Sequence, residues 1–224
     1  MEEHLLSIKE NIEKIRSDAA PFPGAQLMAV VKTRTPEEIR YAVRECGIKL
    51  IGENRVQELL AHYENTEGAE IHFIGTLQKN KVKYIIDKVC MIHSVDSLKL
   101  AEEIDKRAAQ HGITMDILIQ VNSAQEESKF GISTDETEGM IRDILDKCPN
   151  IRIRGLMCIA PFAENPEDVR VYFAQVKKLY DEYSSIEHKN LDFKYLSMGM
   201  SHDYEVAILE GSNLIRVGTA IFGE

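Results

Sequence analysis

The sequence predicts the α/β class and, within it, a closed (β/α)8 TIM barrel spanning residues 1–224 as a single domain with one additional amino-terminal helix. Three observations lead there. Eight short apolar runs recur along the chain, and a stretch of helical pattern follows each of them. The runs are also mostly continuous rather than alternating, as strands covered on both faces of a parallel sheet must be. Parallel neighbours need crossover connections, which the intervening helices supply. A doubly wound open sheet usually has fewer strands, and the G-x-G-x-x-G turn of its dinucleotide site is absent. A barrel typically takes about 250 residues, so nothing is left over for a second domain.

The elements follow in order. In MEEHLLSIKENIEKI, Leu5, Ile8, Ile12 and Ile15 stand three and four residues apart, the spacing of an amphipathic helix. Its charges argue against a signal peptide. The first strand, LMAVV (residues 27–31), runs directly into Lys32. Thr35 and Glu38 then form a capping box with Pro36 at the first helical position. KLIG leads to Asn54, EIHFIG carries His72 and VCMIHS carries His93. MDILIQVN ends at Asn122, ahead of Lys129 in ESKFGI, and Ser133 with Glu136 makes a second capping box. IRIRGLMCI is the sixth strand, with Asn165 before Pro166 opening the next helix. KYLSM and NLIRVG are the seventh and eighth, leading to Ser201 and to Gly218 with Thr219.

Composition narrows the function. A formal net charge of -10 opposes nucleic acid or an acidic membrane surface as partner, since both need a basic footprint. No apolar run approaches the roughly 18 residues of a membrane span. Cys46, Cys90, Cys148 and Cys158 are widely spaced and form no C-x-x-C pair, which points to a reduced, cytoplasmic setting.

In a barrel, the strand ends that lead into the βα loops open on one face, which carries the chemistry. Lys32, Asn54, Asn122, Lys129, Ser201, Gly218 and Thr219 should all meet there. A lysine in low-dielectric surroundings loses charge and gains nucleophilicity toward a carbonyl, the basis of Schiff-base chemistry. Taken alone, Lys32 reads first as a lysine that snorkels to solvent from a strand end. Gly218 and Thr219 follow the last strand, a favoured phosphate seat in barrels, and SMGMS (residues 197–201) adds small and hydroxyl residues. Amine and phosphate seat together describe a phosphorylated aldehyde.

AVVKTRTPEEI, IGENRVQE, HFIGTLQKNK, HSVD, LIQVNSAQEESKFGI, LSMGMSHDYEVAI and IRVGTAIFG, in this order, resemble the YggS/PROSC family of pyridoxal phosphate homeostasis proteins. The resemblance implies the barrel of the alanine racemase amino-terminal domain, with Lys32 holding pyridoxal 5'-phosphate as a Schiff base. It also implies phosphate contacts from Ser201, Gly218 and Thr219, and Arg216 facing the pyridine nitrogen. Asn54 would lie at the cofactor mouth and Lys129 near the ring's phenolic oxygen. A guanidinium cannot accept a proton, so its partner nitrogen stays unprotonated and the ring becomes a poorer electron sink.

The family implies a carrier of the reactive aldehyde, monomeric by analogy, that serves vitamin B6 homeostasis and passes cofactor to apoenzymes with little or no catalysis. A pyridoxal-phosphate-dependent amino-acid racemase is the alternative, although its second base, drawn elsewhere from a carboxy-terminal β-domain, has no evident source. A cofactor-free Schiff-base aldolase is the third reading. His72 and His93 read as packed histidines and not metal ligands, because no partner stands at ligand spacing. QKNKVK (residues 78–83) reads as a solvated helix face, Glu126 and Glu127 are no evident catalytic pair, and Met198 and Met200 read as packing residues.

Overall fold

The computed structural model describes residues 2–124 and 130–223. Eight parallel strands close on one another in chain order, the first pairing with the last. They are β1 (Gln26–Val30), β2 (Leu50–Glu53), β3 (Glu70–Phe73), β4 (Met91–Val95), β5 (Met115–Val121), β6 (Ile151–Cys158), β7 (Leu191–Ser197) and β8 (Leu214–Val217). The outer layer comprises α1 (Glu2–Ala19), α2 (Pro36–Arg44), α3 (Val56–His62), α4 (Leu98–His111), α5 (Thr137–Lys147), α6 (Arg170–Ser184), α7 (Tyr204–Leu209) and α8 (Thr219–Phe222). A 3-10 segment, Lys79–Tyr84, stands in the β3–β4 crossover with Val82 buried and Lys79, Asn80 and Lys83 exposed.

Local sequence sets these boundaries. Both halves of the Thr35–Glu38 capping box are present at α2, satisfying amide donors that a helix start otherwise leaves open. The Ser133–Glu136 box also forms, with Glu136 N–H donating to Ser133 Oγ at 3.3 Å, but it precedes α5 instead of capping it. Asn165 caps the 3-10 turn Pro166–Val169 that feeds α6. Ile8, Ile12 and Ile15 are buried as their spacing requires, and α1 is pinned near β8 by Asn11 Nδ2 donating to Ile221 O at 2.9 Å.

Two apolar layers result. Between sheet and helices lie residues such as Ile51, Ile117, Phe173 and Val217, while Met28, Leu50, Met91, Leu118, Met157 and Leu214 fill the barrel interior. Gly155 (φ +140°) permits the closest approach of β6 to β7, where a Cβ would sit 1.9 Å from Tyr195 O. The β7–β8 seam, bridged by backbone bonds from Asn213 N–H to Leu196 O and from Arg216 N–H to Gly199 O, is reinforced by side chains. Asn213 Oδ1 accepts from Leu196 N–H at 2.7 Å, Asn213 Nδ2 donates to Lys194 O at 2.8 Å and Ser212 Oγ donates to Met198 O at 2.7 Å.

Candidate functional site in the barrel mouth

A cavity of about 240 Å³ opens at the carboxy-terminal ends of the strands. Lys32, Asn54, Ser201, Arg216, Gly218 and Thr219 all line it, drawn from β1, β2, β7, β8 and the loops that follow them. Lys129 lies outside the described residues. Asn122 follows β5 and does not line this cavity; its N–H donates to Ile132 O at 2.7 Å.

Lys32 leaves β1 into a turn in which Thr33 takes φ 62°, the one described non-glycine residue with positive φ. For a β-branched residue this is a strained conformation, of the kind that clusters at functional sites. Glu58 on α3 fixes the turn by accepting from Thr33 N–H at 3.2 Å. The Lys32 side chain is exposed. The low-dielectric surroundings expected from the sequence are therefore absent, because the residue stands one step past the buried Val31, on the rim.

Asn54 follows β2. Its backbone is overlaid by Gly75, where a Cβ would come within 2.1 Å of Asn54 O, so only glycine fits. Asn54 Oδ1 is buried with no hydrogen-bond partner among the described residues, an acceptor left open beside the cavity. On the opposite wall, Ser201 Oγ accepts from the N–H groups of Gly218 (3.2 Å) and Ala220 (3.1 Å). With both lone pairs engaged, the hydroxyl is left as a donor.

Arg216, expected to face the cofactor, is buried inside the barrel and lines the cavity. Nη1 donates to Ser197 O and Ser197 Oγ, each at 2.7 Å, and Nη2 donates to Cys158 O at 2.8 Å. Burial pulls the guanidinium below its ordinary value, and Cys158 and Asp203 work against that. The Cys158 thiol is pushed up to about 12 by burial, which keeps it neutral and unreactive. Burial also raises Asp203, opposed by its hydrogen bond from Met200 N–H and by Arg216.

Sequence reasoning did not place Ile159 or His202 in the mouth, and it had Met200 packing around the site; all three line the cavity. They lie on the loops after β6 and β7, where apolar and polar residues alternate without periodicity. His72 and His93 are buried as expected, yet they touch, with His72 Nδ1 3.0 Å from His93 Nε2. The available signal was one histidine on each of two neighbouring strands.

The alanine racemase, N-terminal domain family matches residues 4–224. The chain is 45% identical over 225 residues to the pyridoxal phosphate homeostasis protein of Aquifex aeolicus, covering 99% of this chain and 97% of that protein. Among solved structures it is similar to PipY of Synechococcus elongatus with PLP bound, at a TM-score of 0.85 and 33% identity, covering 96% of this chain and all of the other. Alanine racemase from Corynebacterium glutamicum, at 16% identity and a TM-score of 0.76, covers 98% of this chain and 61% of the other and shares the fold. By these matches the chain belongs to the alanine racemase N-terminal domain family and, within it, to the pyridoxal phosphate homeostasis proteins.

Proposed function

We propose that this chain binds pyridoxal 5'-phosphate (PLP) in the barrel mouth, with Lys32 as the Schiff-base residue, and serves vitamin B6 homeostasis as a cytoplasmic monomer that supplies apoenzymes. The observation that carries the reading is the convergence of Lys32, Asn54, Ser201, Arg216, Gly218 and Thr219 on one cavity. The donor set fits the group. When bound, PLP supplies an aldehyde, a phosphate monoester and an electron-withdrawing ring.

The chain's residues divide that work. Ser201 and Thr219 offer hydroxyl donors to phosphate oxygens, the Ser201 hydroxyl turned outward by the two N–H groups it accepts. Arg216 commits three hydrogen bonds to Ser197 and Cys158, and its remaining N–H groups can only donate. A ring nitrogen facing it must therefore be unprotonated, which weakens stabilisation of a carbanion. Asn54 Oδ1 offers the cavity an acceptor, and Lys129 belongs to the same proposal by the family resemblance. Lys32, exposed at the rim, can meet an aldehyde arriving from solvent without any opening of the barrel.

The test is borohydride reduction of the protein as purified, followed by peptide mass spectrometry. A reduced pyridoxyl adduct on the peptide containing Lys32 is expected. An adduct on Lys129 instead, or none after incubation with PLP, overturns the assignment.

A further inference from the structure

Below Arg216 a string of polar side chains crosses an otherwise apolar barrel. Ser197 Oγ, which accepts from Arg216 Nη1 at 2.7 Å, lies 3.3 Å from His93 Nδ1. His93 Nε2 lies 3.0 Å from His72 Nδ1, and His72 Nε2 lies 3.8 Å from Glu70 Oε2. His72, His93, Ser197 and Arg216 are each at most 3% exposed, whereas the Glu70 side chain is 63% exposed at the first position of β3. The string thus runs from the amino-terminal rim of the barrel to the mouth.

Its polarity can be worked out link by link. His93 is fully buried near the Arg216 guanidinium, and burial first, then His72 and Arg216, hold it well below the ordinary imidazole value, so it is neutral. A neutral imidazole carries one N–H. The Glu70 carboxylate, 3.8 Å from His72 Nε2, is beyond direct hydrogen-bond reach, but its negative charge favours an N–H and not a lone pair facing it, which puts the His72 proton on Nε2. His72 Nδ1 is then an acceptor, His93 carries its proton on Nε2, and His93 Nδ1 accepts from the Ser197 hydroxyl. The reverse arrangement would aim a His72 lone pair at a carboxylate.

We propose that His72, His93 and Ser197 are positioning residues for Arg216, forming a one-way hydrogen-bond chain that fixes the guanidinium toward the cofactor, with the nearby charge of the exposed Glu70 setting its direction. The last step, toward the cofactor, rests on the PLP reading. The chain itself is a property of the free protein.

Long-range ¹⁵N–¹H NMR of the imidazoles in the cofactor-free protein tests the chain directly. His93 is expected as the neutral Nε2–H tautomer, with His72 Nδ1 as its acceptor; a proton on Nδ1 of His93, or a charged ring there, overturns the proposal. Glu70→Lys reverses the charge at an exposed site. The variant is expected to keep its melting temperature while His72 and His93 shift toward the Nδ1–H form. Ser197→Ala removes the hydroxyl that joins His93 to Arg216, leaving the bond to Ser197 O in place, and is expected to weaken PLP binding about tenfold, roughly the loss of one hydrogen bond to a charged group, and to move the absorbance maximum. Wild-type binding together with unchanged affinity and spectrum in both variants sinks the positioning role. Failure of the wild type itself to take up PLP would instead count against the functional reading, with the tautomers still deciding the chain.

Discussion

Lys32 and Arg216 face the same cavity under opposite conditions, one exposed on the rim and the other sealed into the barrel wall. Their substitutions should separate accordingly. Lys32→Ala removes no core packing, so its unfolding free energy is expected to stay within about 0.5 kcal/mol of wild type while the PLP absorbance band is lost. Denaturant titration and a visible spectrum of the same sample check both halves; a retained band transfers the role to another lysine. Lys32 was legible because a long apolar run ended on a charge. The depth of Arg216 was not, because LIRV reads equally as a strand with a flank arginine until register places the side chain indoors.

At the scale of elements, the packing of α3 on β2 stores a titration. Glu53 ends β2 fully buried, its Oε1 2.9 Å from a nitrogen of His62 on α3, and its Oε2 has no partner among the described residues. Burial pushes the carboxyl up to about 7 from an ordinary 4.5, with the His62 hydrogen bond pulling the other way. Between those two values the unfolded chain has released the proton and the folded chain still holds it. Stability from this pair is therefore complete below pH 4.5 and is lost as pH rises through about 7. The loss is on the order of 3 kcal/mol. Glu53→Gln, which cannot ionise, is expected to flatten that slope in urea titrations at pH 5 and pH 8, and an unchanged slope would assign it to other groups. GENR shows a glutamate after a strand, but only the outward turn of Glu53, with Gly52 against Met28 inside, reveals it as buried.

For the whole molecule, strand count and order were written in the sequence: all eight apolar runs became strands, because parallel strands sealed on both faces leave no room for polar alternation. Of the eight residues expected in the mouth, six meet in one cavity, Asn122 does not line it, and Lys129 lies outside the described residues. The Glu70–Arg216 string was illegible, because no local pattern says which strand positions face inward together. Sharing a barrel with alanine racemase does not carry over its reaction, since one fold hosts many chemistries. Incubated with L-alanine in deuterated water, the PLP-loaded protein is expected to show no rapid exchange at the α-carbon and no D-isomer by NMR and chiral chromatography. Fast exchange would reinstate the racemase reading.

The joint between β7 and β8 is stitched twice over. Beside the backbone bonds from Asn213 N–H to Leu196 O and from Arg216 N–H to Gly199 O, the side chains of Asn213, Ser212 and Arg216 act as rivets, and the last of these also reaches the mouth. One guanidinium therefore serves both as a fastener of the hoop and as a wall of the cavity, so a substitution there would be felt in closure and in the site together.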